Sequence, residues 1–200
     1  MGDRDSPAPV GVVRSDADAV AERTLLARFA GGDPVAATTL YRLHAPVIAR
    51  VVARLGVADR ADVDDLVQIT FLEAIRAAAR FQGGSSVRTW LVAIAVNHAR
   101  MLQRSRGRAR RGLSLLAAEP AAPPRLHQDA VDQQERSRLH SALERISALQ
   151  REALVLCELE GIPGAEVAAM LGVPVSTVWR RVHDAKVSLR GLLGDERSGS

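Results

Sequence analysis

The sequence predicts an all-α protein: two small helical domains joined by a flexible linker, the second containing a helix-turn-helix. Three observations carry that expectation. Apolar residues recur at three- and four-residue spacing along most of the chain, and strand signals are nearly absent. Between two such regions, residues 107–128 place Pro120, Pro123 and Pro124 among alanines and arginines, the composition of a tether and not of a core. Near the C-terminus, GIPGAEVAAMLGVPVSTVWRRVH (Gly161 to His183) reads as helix, tight turn, helix. The expected organisation is a disordered tail at 1–17, a first domain at 18–106, a linker at 107–128, a second domain at 129–193 and a tail at 194–200. No internal repeat is evident.

In the first domain, a helix from about Asp18 to Ala30 gathers Leu25, Leu26 and Phe29 on one side, and Gly31-Gly32 stops it. Asp33-Pro34 then supplies an N-cap followed by proline at the first helical position. Leu40, Leu43, Val47, Ile48, Val51 and Leu55 continue the spacing to Gly56, with Pro46 expected to kink or split the helix. A third helix, about Asp62 to Arg80, is expected to turn Leu66, Ile69, Leu72, Ile75 and Ala79 inward. The polar, glycine-rich segment from Phe81 to Ser86 reads as a loop. A fourth helix, about Val87 to Arg106, has Trp90, Leu91, Ile94, Ala95 and His98 as its buried stripe, which makes His98 a core histidine before a ligand.

Fully extended, Gly112 to Ala130 would reach roughly 60 Å. Leu139, Leu143, Ile146 and Leu149 then restore helical spacing. Glu166 to Leu171 forms a short helix, Gly172-Val173-Pro174 a turn, and Ser176 a cap for a helix running to about Leu192. Ala168, Leu171, Val173, Val178 and Val182 fall where these two helices touch. That leaves Ser176, Thr177, Trp179, Arg180, Arg181 and His183 free to enter a DNA major groove.

Charge distribution points the same way. The net charge is only +4, yet residues 74–118 contain nine arginines and no acidic residue. Just upstream, Asp59, Asp62, Asp64, Asp65 and Glu73 crowd into fifteen residues. A basic block beside an acidic cluster suggests two neighbouring surfaces with different partners, one of them polyanionic. Asn97, Arg100 and Arg104 share one helical face; arginine meets phosphate at any sequence, and asparagine can read a base edge. The single cysteine, Cys157, cannot close an internal disulfide, and no charged-then-apolar leader opens the chain, so a reducing cytoplasm is the expected compartment. The longest stretch without Asp, Glu, Lys or Arg is thirteen residues, too short for membrane insertion as a helix.

Three segments together resemble a bacterial RNA polymerase sigma factor of the small extracytoplasmic-function type. They are DVDDLVQITFLEAI (Asp62 to Ile75), RTWLVAIAVNHARMLQRSRGR (Arg88 to Arg108) and LQREALVLCELEGIPGAEVAAMLGVPVSTVWRRVHDA (Leu149 to Ala185). The resemblance covers roughly Leu25 to Leu192. It implies that the first domain docks on core RNA polymerase and reads the minus-ten promoter element as single strand, while the second reads the minus-thirty-five element as duplex. It implies polymerase contacts at Asp62, Asp64, Asp65, Leu66, Gln68 and Phe71. Minus-ten contacts follow at Gln82, Ser85, Ser86, Arg88, Asn97, Arg100 and Arg104, with the loop from Phe81 to Ser86 resembling a pocket for a flipped base. Minus-thirty-five contacts fall on Ser176, Thr177, Trp179, Arg180, Arg181 and His183. The resemblance also implies an anti-sigma factor as a partner besides polymerase and promoter DNA. Met101, Trp179 and Asp184 depart from the family's usual residues and bear on which promoter is read.

Three other readings compete, and one of them, a pure interaction module, would fit the acidic helix but not two DNA-type surfaces. A stand-alone helix-turn-helix transcriptional regulator would leave the acidic helix and the single-strand-type loop unexplained. An enzyme would need chemistry the sequence does not display: no CxxC, HExxH, GxSxG or GxxxxGK[ST] occurs. No catalytic residue, metal site or cofactor is therefore expected.

Overall fold

The structure is a computed structural model that describes residues 16–57, 59–113 and 141–195. Its elements are helices α1 (Asp16–Ala30), α2 (Pro34–Arg54), α3 (Arg60–Ala77), a 3-10 turn (Ala78–Arg80) and α4 (Val87–Leu113). After the segment outside the description come α5 (141–145), α6 (Ala148–Leu154), a π-helical turn (Val155–Leu159), α7 (Gly164–Leu171) and α8 (Val175–Asp195). No strand occurs among the described residues. Helices α2, α3 and α4 pack on one another with α1 laid across them, and α6 and α7 pack on α8.

Local chemistry sets the boundaries. Asp33 Oδ1 accepts from the amides of Val35 (2.8 Å) and Ala36 (3.2 Å), and Pro34 opens α2 at no hydrogen-bond cost. Oδ2 of the same carboxylate accepts from Arg28 at 2.6 and 2.9 Å, and these bonds, with the capped amides, hold the Asp33 carboxyl below its ordinary range. Gly32, with φ 83°, makes the turn between the two helices. Pro46 neither splits nor ends α2, which runs unbroken through it. Ser147 and Gln150 form a reciprocal capping box that restarts the helix after Ile146. The expected stripe is thus broken at Ser147: Ala142, Leu143 and Ile146 are buried, whereas Leu149 is exposed.

Two expected helix faces differ from those observed. In α3 the buried residues are Leu66, Val67, Thr70, Phe71 and Ala74, while Ile69, Leu72 and Ile75 are exposed and Ala79 lies outside. Both faces of this helix are apolar at helical spacing, so periodicity alone could not choose between them. In α4 the buried apolar set is Val87, Leu91, Val92, Ala95, Val96 and Ala99, with Thr89 buried beside them; Trp90, Ile94 and His98 are only half-buried. Helix α4 also continues to Leu113, past Gly107, where a linker was expected to begin; the remainder of that segment, with its prolines, lies outside the described residues.

In the C-terminal half, α7 ends on Gly172 in the left-handed region (φ 67°), and the amide of Val173 reaches back to the carbonyl of Ala168 at 3.1 Å. Helix α8 starts at Val175, with the amides of Thr177 and Val178 donating to the Pro174 carbonyl. Ser176 therefore sits within the first turn instead of capping it. Ala168, Leu171, Val178 and Val182 are buried between the two helices as expected, with Val173 half-buried.

Candidate nucleic-acid interface

Three surfaces collect the residues singled out in the sequence. On α3, Asp65, Gln68, Ile69, Leu72 and Ile75 are all exposed at helical spacing, an acidic-to-apolar strip. Asp64 borders it and pairs with Arg60 at 3.9 Å. Asp59 is consumed as the N-cap of α3, its Oδ1 accepting from the Ala61 amide at 2.9 Å. Asp62 is half-buried and ion-paired with Arg106 of α4. Leu66 and Phe71 lie inside the bundle, Phe71 tilted against Tyr41 with ring centroids 4.9 Å apart. They support the strip from beneath and do not form its surface.

On the arginine helix, Asn97 and Arg104 are exposed. Ser86 is spent on structure: its Oγ caps α4 by accepting from the Thr89 amide at 3.0 Å. Gln82 is exposed and Ser85 half-buried in the preceding loop. Trp90 packs on Phe81, ring centroids 5.2 Å apart, which fixes the base of that loop. Arg88 and Arg100 do not face solvent freely. Each is turned toward a carboxylate of the C-terminal half, Arg88 Nη2 to Glu160 Oε2 at 2.6 Å and Arg100 Nε to Glu152 Oε1 at 3.2 Å.

On α8, Ser176, Trp179, Arg180 and His183 form one exposed stripe at positions i, i+3, i+4 and i+7. The Trp179 indole packs against Gly164 at the start of α7, so close that a Cβ there would stand 2.6 Å from Cζ2. Thr177 and Arg181 lie on the flank and are half-buried. The Arg181 guanidinium is drawn toward Glu152, where its Nη1 is buried without a partner.

The carboxylates were the residues that sequence reasoning missed. Glu160 follows the π-helical turn, which closes with its own amide donating to Val155 O at 2.9 Å, and Gly161 (φ 65°) reverses the chain immediately after. The Glu160 side chain, wholly buried, accepts from Arg50 Nη2 (3.0 Å) and Nε (3.3 Å), Arg54 Nη1 (2.9 Å) and Arg88 Nη2, while its backbone carbonyl accepts from Arg88 Nη1 at 3.0 Å. Glu152, two turns earlier, is also buried. Desolvation pushes its carboxyl above the ordinary value, against the opposing pull of Arg100, Arg181, Arg104 and Arg151. Arg151 bridges the same boundary, donating to Leu55 O (3.3 Å) at the end of α2, to Glu144 O (3.0 Å) and to Ile146 O (3.4 Å). A cleft of about 250 Å³ lies alongside, between Ser86, Arg88 and Thr89 on one side and Ile162, Pro163 and Glu166 on the other. The available signal was three acidic residues, Glu152, Glu158 and Glu160, in an otherwise apolar run.

Comparison with known proteins supplies the family. Residues 40–109 match the model of Sigma-70 region 2, and residues 136–189 that of Sigma-70, region 4. RNA polymerase sigma factor CarQ of Myxococcus xanthus is 34% identical over 170 residues, 84% of this chain and 95% of CarQ. The chain belongs to the extracytoplasmic-function sigma factors. CnrH of Cupriavidus metallidurans is 32% identical over 181 residues, covering 86% of this chain and 94% of that protein. Among solved structures, the sigma factor RpoE in complex with the anti-sigma factor NepR from Bartonella quintana superposes with a TM-score of 0.66 at 28% identity, covering 78% of this chain and 96% of that one. CnrH in complex with the cytosolic domain of CnrY gives 0.63 at 28% identity, over 88% and 98%.

As a sigma factor the chain directs transcription initiation by RNA polymerase through DNA recognition, and its two described halves carry regions 2 and 4. The reading as a stand-alone helix-turn-helix regulator is not favoured. No helix among the described residues is long and apolar enough to cross a membrane.

Proposed function

We propose that this sigma factor binds core polymerase through the exposed strip of α3. Asp65 and Gln68 make its polar contacts, Ile69, Leu72 and Ile75 its apolar ones, and Asp62 and Asp64 border it. Leu66 and Phe71 hold the helix in place. The observation that carries this reading is the exposure of three large aliphatic side chains beside the acidic cluster, a face the described chain leaves uncovered.

The minus-ten strand runs along α4, with Asn97 and Arg104 at the exposed face and Gln82 and Ser85 at the loop. Ser86 positions that loop as the helix cap, and Arg88 and Arg100 add phosphate contacts. The minus-thirty-five duplex meets Ser176, Trp179, Arg180 and His183 in its major groove, with Thr177 and Arg181 at the edge. The work is recognition and opening of DNA rather than turnover of a substrate, and it takes place in the cytoplasm with polymerase. Two similar sigma factors are seen bound to the anti-sigma factor NepR and to CnrY, which supports a protein inhibitor of this chain that competes with polymerase.

The test is affinity for core polymerase after Asp65→Arg and, separately, Leu72→Lys. Each should weaken binding at least tenfold with helical content unchanged. Full affinity in both would rule out this face.

A further inference from the structure

Three arginines from two helices of the N-terminal half meet at one point. Arg50 and Arg54 come from α2, one turn apart, and Arg88 from the first turn of α4. All three retain solvent contact, with 44%, 30% and 24% of their side-chain surfaces exposed, whereas the Glu160 carboxylate between them has none. Two carboxylate oxygens take four guanidinium hydrogen bonds there, the geometry in which arginine forks also hold a phosphate. The carboxylate is supplied by the other half of the molecule, from a position more than seventy residues distant from each arginine. A second such pair, Arg100 with Glu152, also joins α4 to the C-terminal half.

We propose that Arg50, Arg54 and Arg88 form a phosphate cradle for the promoter backbone, and that Glu160 occupies it as an internal stand-in, so that the C-terminal half holds the minus-ten face shut until the two halves part. The proposal rests on the reading of this chain as a DNA-binding sigma factor and adds a site and its regulation. Among the polymerase- and DNA-contacting residues already named, only Arg88 belongs to the cradle; Arg50 and Arg54 lie on a helix to which no DNA role was attached. When the carboxylate leaves, three guanidiniums remain at the solvent boundary with no anion between them. A polynucleotide phosphate supplies the missing charge.

The experiment uses the full chain without polymerase. A fluorescein-labelled 20-nucleotide single-stranded DNA is titrated at several salt concentrations, and small-angle scattering reports the radius of gyration. Glu160→Gln keeps the shape of the side chain but removes its charge. It should expand the particle and tighten DNA binding by about tenfold, since apparent affinity scales with the binding-competent fraction. Three added phosphate contacts should steepen the salt dependence by about two in log–log slope. The double variant Arg50→Glu/Arg54→Glu opens the same latch from its solvent side and should expand the particle with no gain in DNA affinity.

Unchanged dimensions and affinity in folded Glu160→Gln would overturn the latch. Expansion without tighter binding would overturn the phosphate assignment. An equal gain from the double variant would likewise overturn it, because the gain would not need the arginines. Core-polymerase binding by the wild-type chain reads the sigma-factor assignment separately: its failure would remove that reading, while a DNA gain in Glu160→Gln would still support the cradle.

Discussion

Gly164 and Trp179 are a coupled pair whose interaction changes the sign of a mutation. Gly164 opens α7 with an ordinary helical backbone, so alanine there would ordinarily be favourable. Replacing a helical glycine by alanine stabilises by about 0.4–1 kcal/mol, largely by restricting the unfolded chain. Here the added Cβ would lie 2.6 Å from Trp179 Cζ2, a separation that real carbon atoms essentially never adopt, and 3.0 Å from Cε2, itself tighter than most contacts. The indole is a rigid ring and half of it is exposed, so it would swing outward and surrender its packing on α7. Overpacking of this kind costs about 1–3 kcal/mol, which outweighs the propensity gain. The net expectation for Gly164→Ala is a loss of about 1 kcal/mol, a fall of roughly 2–4 °C in Tm for a chain of this size. In a Trp179→Ala background the obstacle is gone, and the same substitution should become neutral or stabilising. Urea denaturation of the four proteins followed by circular dichroism closes the cycle, with a coupling of about 2 kcal/mol. An equal cost of Gly164→Ala in both backgrounds would refute the packing argument.

Other outcomes follow from the same geometry. Arg180→Ala should reduce duplex affinity with a change in sequence preference or a salt slope lower by about one, whereas Arg181→Ala should act mainly on the stability of the C-terminal half, because its guanidinium faces Glu152 of the same half; salt titrations on a promoter duplex, set beside urea denaturation, separate the two. Burial, reinforced by Glu158, pushes the Cys157 thiol up to about 11. At pH 8 only about one molecule in a thousand carries the thiolate, so iodoacetamide should label the folded chain far more slowly than the urea-unfolded one, by mass spectrometry. The carboxyl of Glu152 is raised above its ordinary 4.5, so its contribution to stability is complete below that value and is lost as pH rises through the raised one. The stability difference between wild type and Glu152→Gln should accordingly shift toward wild type as pH falls toward 4.5, measured by urea titration across that window.

Short-range signals in the sequence were enough for the elements and their order. Asp33-Pro34, Gly31-Gly32 and Gly172 each act within a few residues, and each ends or starts a helix where expected. Pro46 did not break α2, because the helix around it is held by buried Leu40, Ile48, Val51 and Val52 on both sides of the proline. The side of α3 that faces inward was not legible for a different reason. Leu66, Thr70 and Phe71 alternate around the helix with Ile69, Leu72 and Ile75, and a helix that is apolar on two faces has two partners. The bundle covers one face; among the described residues nothing covers the other. Nor could counting charges in sequence find the counter-ions of Arg88 and Arg100, since these belong to residues more than fifty positions away.

The use of ion pairs at that boundary has a physical consequence of its own. The attraction of three arginines for one carboxylate is set against the several kcal/mol that burying the carboxylate costs and the side-chain freedom that the arginines lose. The sum is close to balance, so Glu160 specifies how the two halves meet more than it stabilises them. A hydrophobic contact of similar area would hold more tightly and would leave an apolar face exposed whenever it opened. Arginines and a carboxylate that separate are instead rehydrated, and the arginines can accept a different anion at once. Such a boundary opens at little net cost when a polyanion competes for the same guanidiniums, whereas salt screens a buried pair much less than an exposed one. The contact therefore has the energetics of a reversible latch, one that a competing polyanion should open more readily than ionic strength alone.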